Sequence, residues 1–271
     1  MRKFVNIAIL IVTSIYLGSN LHATSNNVRA SNLTPDCTKK SFSIGPSKKV
    51  LFSPGNLQYH PTNNEWRFAE NQTDYIAGTN IVIGGWWDLF GWGTGSNPRE
   101  SSTNNDDYQV FVDWGINRIA SDTLNTWRTL TYTEWEYLLM KRSNHANLYA
   151  VACVAGVNGL ILLPDDWMCP SEITFRFGCN NFGTGSYSSY QKFTANEWSK
   201  LESSGAVFLP AAGSCDESDA YYVQEIGFYW TATSGIEKNF APCFEFSSDQ
   251  IRMFNYNGRA RGFSVRLVKD I

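Results

Sequence analysis

The stretch Gly227–Val268, GFYWTATSGIEKNFAPCFEFSSDQIRMFNYNGRARGFSVRLV, decides how this chain is read. Its opening Phe228-Tyr229-Trp230 and its closing Phe263-Ser264-Val265-Arg266-Leu267 are expected to be strands, because aromatic and β-branched residues dominate both and Phe263, Val265 and Leu267 alternate with Ser264 and Arg266. Between them Phe244 and Phe246 keep the period of two. Ser234-Gly235, Ser247-Ser248-Asp249 and Asn255-Tyr256-Asn257-Gly258 supply turn chemistry. The expectation is that Trp230, Phe244, Phe246, Phe263 and Val265 point into a core while the residues between them are exposed and chemically mixed.

Those intervening residues are Ser234, Ile236, Glu237, Asn239, Pro242, Glu245, Gln250, Arg252, Phe254, Tyr256 and Asn257. Aromatic anchors, short polar groups and a guanidinium in one set suit a ligand-binding surface, where Tyr, Trp and Arg carry most of the energy and short polar residues adapt. The plainer alternative is a set of ordinary solvated loop positions. Arg252, Phe254 and Tyr256 share one parity, so a regular strand presents all three on one face.

Working outward, Met1-Arg2-Lys3, the apolar run Phe4–Leu17 and the small or polar residues up to Ala23 have the three regions of a secretory signal peptide. The run falls short of the roughly 20 residues of a membrane-spanning helix, so residues 1–23 are expected to be removed on export and the mature chain not to span a membrane. Its location is then periplasmic, cell-surface or secreted. Losing Arg2 and Lys3 takes the formal charge from −3 to −5. That acidic balance gives no footing for a nucleic-acid partner. Residues 24–45, rich in Ser, Asn, Thr and Lys, read as a flexible leader, and residues 46–271 as one domain.

Within that domain Val50-Leu51-Phe52 and Trp66-Arg67-Phe68 are expected strands flanking a Ser53-Pro54-Gly55-Asn56 turn. Gly84–Gly95 packs Trp86, Trp87 and Trp92 among glycines. It has neither the spacing of a dinucleotide fingerprint nor a Gly-Lys-Ser/Thr, so the glycines are read as turns where indoles pack. Helix signals occur twice: Thr131-Tyr132-Thr133-Glu134 and Thr194-Ala195-Asn196-Glu197 are capping boxes, followed at helical spacing by Trp135, Leu138 and Leu139 and by Trp198 and Leu201. They predict helices over 132–142 and 195–203. Gly159-Leu-Ile-Leu-Leu-Pro164 and Gly205-Ala-Val-Phe-Leu-Pro210 are each an apolar run closed by Pro, the pattern of a strand buried on both faces. Two short helices among many short strands give an α+β fold with a twisted, mostly antiparallel sheet.

Four of these stretches resemble one family. The opening Tyr229–Thr233, the closing Gly262–Val268 and the helix entry Arg128–Tyr137 look like the corresponding motifs of C-type-lectin-fold proteins related to formylglycine-generating enzyme, especially exported paralogues of the Bacteroidetes. Phe52–Tyr59 looks like the N-terminal signature of the same paralogues. The resemblance implies a single C-type-lectin-like domain whose C-terminal segment carries a variable ligand surface, in some members diversified by a retroelement. It implies a protein or glycan ligand at a cell surface, as for an adhesin or receptor. Alternatives are a structural surface-assembly or fimbria-tip subunit and, third, a degenerate relative of the enzyme.

Chemistry in the residues is sparse. The related enzymes use two closely spaced cysteines in the C-terminal segment, and here only Cys243 lies there, so that redox activity is not expected. The six cysteines, Cys37, Cys153, Cys169, Cys179, Cys215 and Cys243, permit disulfides in an exported chain without showing their pairing. His60 and His145 sit in polar turns with no nucleophile elbow or His-Glu-x-x-His. The pairs Asp106-Asp107, Asp165-Asp166 and Asp216-Glu217 read as turn residues. No cofactor is expected. The implied fold often carries calcium, yet none of the sugar-coordinating triplets Glu-Pro-Asn, Gln-Pro-Asp or Trp-Asn-Asp occurs.

Overall fold

The computed structural model describes residues 41–76, 85–98, 102–179, 191–216 and 219–271. Residues 1–23, expected to be a signal peptide, most of residues 24–45, expected to be a leader, and Cys37 lie outside them. Strands β1 (Phe42–Gly45) and β2 (Lys48–Phe52) form an antiparallel hairpin, and β2 pairs on its other side with the last strand, β15 (Leu267–Asp270), which also pairs with β5 (Arg128–Thr129). β1 lies within the residues read as leader. Phe42 and Ile44 are buried in a hydrophobic core, so the folded unit begins at least four residues before position 46. The polar composition around them hid a two-residue apolar alternation.

β3 (Leu57–His60) and β4 (Glu65–Phe68) make a second hairpin. After β5 the Thr131 capping box forms as expected: the Thr131 hydroxyl accepts from the Glu134 amide and the Glu134 carboxylate accepts from the Thr131 amide. It starts α1 (Tyr132–Glu136), which widens into a π-helical turn over Tyr137–Lys141. β6 (Tyr149–Val154), β7 (Val157–Leu162), β8 (Gln191–Phe193) and β9 (Val207–Pro210) build a four-stranded sheet in the order β8-β6-β7-β9, in which only β6 and β8 run parallel. α2 (Ala195–Ser203) begins at the second capping box. β10 (Ser214–Asp216) and β11 (Asp219–Tyr221) pair, and β12 (Ile226–Trp230), β13 (Phe240–Ser247) and β14 (Ile251–Gly258) form the antiparallel sheet of the C-terminal segment.

The two apolar runs of the sequence are neighbours in space, since β7 and β9 pair with Leu160 opposite Leu209. They are apolar throughout because both faces of their sheet are covered. Leu160, Leu162, Val207 and Leu209 face a central core with Trp135, Phe244 and Phe246, while Ile161 and Phe208 face a second core under Trp198 and Leu201 of α2. The β12-β13-β14 sheet is covered twice as well. Tyr229, Phe244 and Phe246 enter the central core; Phe228, Trp230, Ala241 and Cys243 enter a third core with Phe90, Trp92, Trp114 and Phe263. Gly227 on β12 is required by that packing, because a Cβ there would lie 2.1 Å from the Phe246 ring.

The closing segment departs from the expected alternation. It is an irregular span of single bridges, Gly262 to Cys215, Phe263 to Phe90 and Ser264 to Tyr229, before regular β15 starts at Leu267. Every residue from Gly262 to Val268 is buried, Ser264 and Arg266 included. The Arg266 guanidinium donates to Gln72 Oε1 at 2.6 Å, Asn56 Oδ1 at 3.5 Å and the Phe208 carbonyl at 3.4 Å. Burial pushes it down to about 10, so it stays a cation at neutral pH. The acceptors around it belong to the β2–β3 turn, the 69–76 segment and β9. Gln72 also accepts from the Phe208 amide, and the Tyr229 hydroxyl donates to the Pro210 carbonyl, so side chains cap the outer edge of β9.

A second cation ties the chain ends to the helix. Arg128 donates to both Glu134 oxygens at 2.8 and 3.0 Å and to both Asp270 oxygens at 2.8 Å, joining β5, the start of α1 and β15. Burial alone would raise the Glu134 carboxyl, but Arg128 and the Thr131 bonds hold it below its ordinary value.

Two outcomes are expected. Arg266→Met removes a donor to three buried acceptors and lowers stability by about 3 kcal/mol in urea unfolding, since each stranded buried acceptor costs about 1–3 kcal/mol. The second concerns Asp88, buried and accepting from the Ile76 amide at 2.6 Å, whose carboxyl burial lifts from 3.8 to about 7. Its folded form keeps the proton to higher pH than the unfolded chain. Its stabilisation is therefore full below pH 4 and lost as pH rises through 7. Asp88→Asn flattens the fall in melting temperature over that interval.

Candidate functional site

The β13–β14 hairpin stands on a fixed base. The Thr231 hydroxyl donates to the Pro242 carbonyl at 2.8 Å, the Ala232 amide to the Leu130 carbonyl at 2.9 Å, and the Tyr132 amide at the start of α1 to the Thr233 hydroxyl at 3.0 Å. Trp135 stacks on Phe244 with ring centroids 4.7 Å apart. On the far side Arg259 lies over Trp92 at 4.3 Å, donates to the Tyr108, Gln109 and Phe240 carbonyls, and Lys238 pairs with Asp106 at 2.9 Å.

Beyond that base the loop between β12 and β13 projects. Ser234, Ile236, Glu237 and Asn239 are exposed, Ile236 almost wholly at 97%. Phe240 and Tyr256 are part-exposed at 39% and 46%, and Arg252 is exposed. Gln250 and Asn257 are half-buried; of Phe254 only its place in β14 is described.

Two of the eleven expected surface residues are buried. Pro242 sits within β13 opposite Tyr256. Glu245 is 3% exposed and its carboxylate accepts from Arg252 at 3.1 Å and from Asn255 Nδ2. Glu245 does lie on the face of β13 opposite Phe244 and Phe246, as the period of two requires, but β14 and its side chains close over it.

The shared parity of Arg252, Phe254 and Tyr256 does not put them together. The ladder runs Cys243 opposite Asn255 and then Glu245 opposite Arg252, so three steps along β14 match two along β13. This β-bulge reverses the sidedness of β14 at its middle. Arg252 faces the same side as Glu245 and Asn255, whereas Tyr256 shares the side of Pro242 and lies near Tyr132, whose phenol is raised by burial first and by Glu136 and Tyr256 after it. The Asn255–Gly258 stretch read as turn chemistry is part of this strand. Ser248-Asp249 is the turn.

The hairpin thus has two sides. One carries Tyr256 beside Tyr132 of α1; the other holds a polar ladder in which buried Cys243 and Glu245 are lined by Asn257, Asn255 and exposed Arg252, with Asn257 Nδ2 3.3 Å from Cys243 Sγ and Arg261 3.5 Å from Asn257 Oδ1. The loop with Ile236 joins β12 to β13, at the end of β13 where Phe240 pairs with Gly258. Sequence reasoning missed Tyr132, Lys238, Phe240 and Arg261. Phe240 was legible in principle, since it shares the β13 parity of Pro242 and Phe244 at the strand's open end.

Reactive chemistry is weak here. Burial pushes the Cys243 thiol up to about 12, with the Asn257 bond working against it, so it stays protonated at neutral pH. Cys153, Cys169 and Cys179 are free thiols. Among the described residues no group of three or more His, Cys, Asp or Glu side chains is arranged to hold a metal ion. No helix among them is long and apolar enough to cross a membrane. Asp165, read as a turn residue, accepts from Ser43 and pairs with Lys49 and with buried Arg142, which anchors the β1–β2 hairpin. Compared with known proteins, the chain matches no family model, no curated protein and no solved structure.

The difference between the buried and exposed members of the set is measurable. Glu245→Ala strips Arg252 and Asn255 of a buried partner and lowers stability by about 2 kcal/mol. Tyr256→Ala, at a part-exposed position, changes it by less than about 0.5 kcal/mol in the same denaturation experiment.

Proposed function

We propose that the protein is an exported binding protein of the adhesin or receptor type, with a C-type-lectin-like domain whose C-terminal hairpin and preceding loop contact a protein ligand. The observation that carries this reading is the contrast between a base held by backbone bonds, aromatic stacking and buried arginines and a tip on which Ile236, Phe240 and Tyr256 stand out in solvent. Exposed apolar and aromatic groups on a rigid support fit binding, where anchors lose little entropy on contact. The antiparallel pairing of β2 with β15, which brings the first long strand beside the last, and the two helices flanking the strands favour the C-type-lectin-like arrangement.

A catalytic role in the manner of formylglycine-generating enzyme is disfavoured by the single C-terminal cysteine and its protonated thiol. A glycan ligand at this surface is the lesser reading, because Ile236 protrudes where a saccharide would want a recess.

The test is binding of the purified domain to arrays of extracellular proteins and of glycans. Ile236→Ala with Tyr256→Ala is expected to weaken capture of a protein ligand about thirtyfold, the effect of losing a central anchor worth about 2 kcal/mol, without moving the melting temperature. Unchanged capture by that variant refutes the assignment of binding to this stretch. A nearby reverse transcriptase with a near-repeat of the codons for 230–268 would mark the surface as genetically diversified.

A further inference from the structure

Gln58 and Arg67 are cross-strand partners in the β3–β4 hairpin and are unequally buried: Gln58 is 3% exposed, while Arg67 reaches solvent. Arg67 donates from Nε to Gln58 Oε1 at 2.8 Å, and Trp86 backs its guanidinium at 3.7 Å. The bond to Oε1 leaves the Gln58 amide nitrogen, Nε2, without a partner among the described residues, and both terminal nitrogens of Arg67 are equally free there. Nε2 is not sealed into the core, because Gln58 lines a surface cavity of about 410 Å³ together with Arg67, Glu70, Asp74, Tyr75 and Trp86. That volume lies within the range of small-ligand sites. A buried amide whose donor is unmet by its own chain calls for an acceptor from outside it.

The remaining charged groups of the cavity are carboxylates. Glu70 is exposed and has neither an ion pair nor a hydrogen bond among the described residues, so it leaves Arg67 unpaired although both line one cavity. Asp74 Oδ2 accepts from the Asn71 backbone amide at 2.9 Å and from its side-chain amide at 3.1 Å, which leaves Oδ1 without a partner among the described residues. The walls are fixed from behind. Gln72, between Glu70 and Asp74 in the chain, is bonded to Arg266 and to the Phe208 amide. The Tyr75 hydroxyl accepts from Gln224 at 2.5 Å, and the Ile76 amide donates to Asp88 at 2.6 Å. Lining groups so held are ordered before a ligand arrives, which removes much of the entropic cost of binding.

These groups select the ligand by charge. A guanidinium edge beside an amide nitrogen is a two-pronged donor set for a carboxylate. A simple anion is nevertheless repelled by Glu70 and Asp74, and a simple amine leaves Arg67 and Gln58 unmet. A zwitterion satisfies both kinds of group but leaves one acid over. A molecule with one carboxylate and two cationic groups balances the single guanidinium and the two carboxylates that line the cavity. We propose that this cavity binds a free basic α-amino acid, with its carboxylate on Arg67 and Gln58 and its α-ammonium and side-chain cation on Glu70 and Asp74. The Trp86 face, which the guanidinium occupies, takes no part in the contact. The site shares no residue with the C-terminal surface and stands whether or not that surface binds a protein.

The experiment is calorimetric titration of the purified protein with L-lysine, L-ornithine and L-arginine. L-leucine lacks the side-chain cation, Nα-acetyl-L-lysine the α-ammonium and L-lysine amide the carboxylate, so these three are the controls. At least one basic amino acid is expected to bind with a dissociation constant of about 1 mM or tighter, and each control about tenfold or more weakly than that. Arg67→Gln and Glu70→Gln should each weaken the binding about tenfold or more, through loss of a charge-assisted contact. Glu70 is exposed and unpaired among the described residues, so Glu70→Gln decides the matter if Arg67→Gln fails to fold. Absence of binding by all three basic amino acids, a control that binds as tightly as they do, or binding that survives Glu70→Gln overturns the proposal.

Discussion

The buried guanidinium of Arg266 is the constraint around which the rest is arranged. A cation with no solvent exposure to speak of needs acceptors for its donors, and those that meet its two terminal nitrogens come from the turn after β2, from Gln72 and from β9, while Nε has no partner among the described residues. The edge of the β6–β9 sheet therefore ends where side chains can bond it, the 69–76 segment must run past that edge, and the closing segment must leave its regular ladder to reach both. Tyr229 lies in the same polar seam, accepting from Asn56 at 3.2 Å while donating to Pro210. The seam joins the two doubly covered sheets at the point where hydrophobic packing alone would leave their registers free to slide.

How much of this the sequence reveals depends on whether a signal is local. Both capping boxes are legible because the Thr and Glu that close each box are three residues apart. The second helix runs over 195–203 as its spacing predicts. The first keeps α-helical bonding only to Glu136 before it widens, which no local pattern announces. The runs before Pro164 and Pro210 declare themselves as strands covered on both faces, though not that they lie side by side. Arg266 misleads, since alternation assigns a polar residue to solvent and only long-range partners reveal why it is buried. Phe42 and Ile44 were hidden by polar neighbours.

The hairpin surface was half legible for a related reason. Residues of the loop tip, Ser234 to Asn239, are exposed as a turn-rich stretch should be, but parity along β14 assumes an unbroken ladder. One extra residue between Arg252 and Asn255 moves Arg252 onto the side of Glu245 and leaves Tyr256 beside α1. A bulge has no residue-type signature here, so it emerges only from the pairing of two strands. Its bend, with charged Arg252 on the outer strand, also blunts an eight-residue strand edge that would otherwise invite another chain to pair with it.

The pairing of β2 with β15 sets the order of events in folding. Val50 meets Asp270, and Phe52 meets Val268, across nearly the whole domain, while Asn56 waits on Arg266. These contacts close the longest loop in the chain, whose entropy must be lost before they give anything back, so they form late and slowly. A polypeptide emerging N-terminus first holds its early strands without their partner until the last residues arrive.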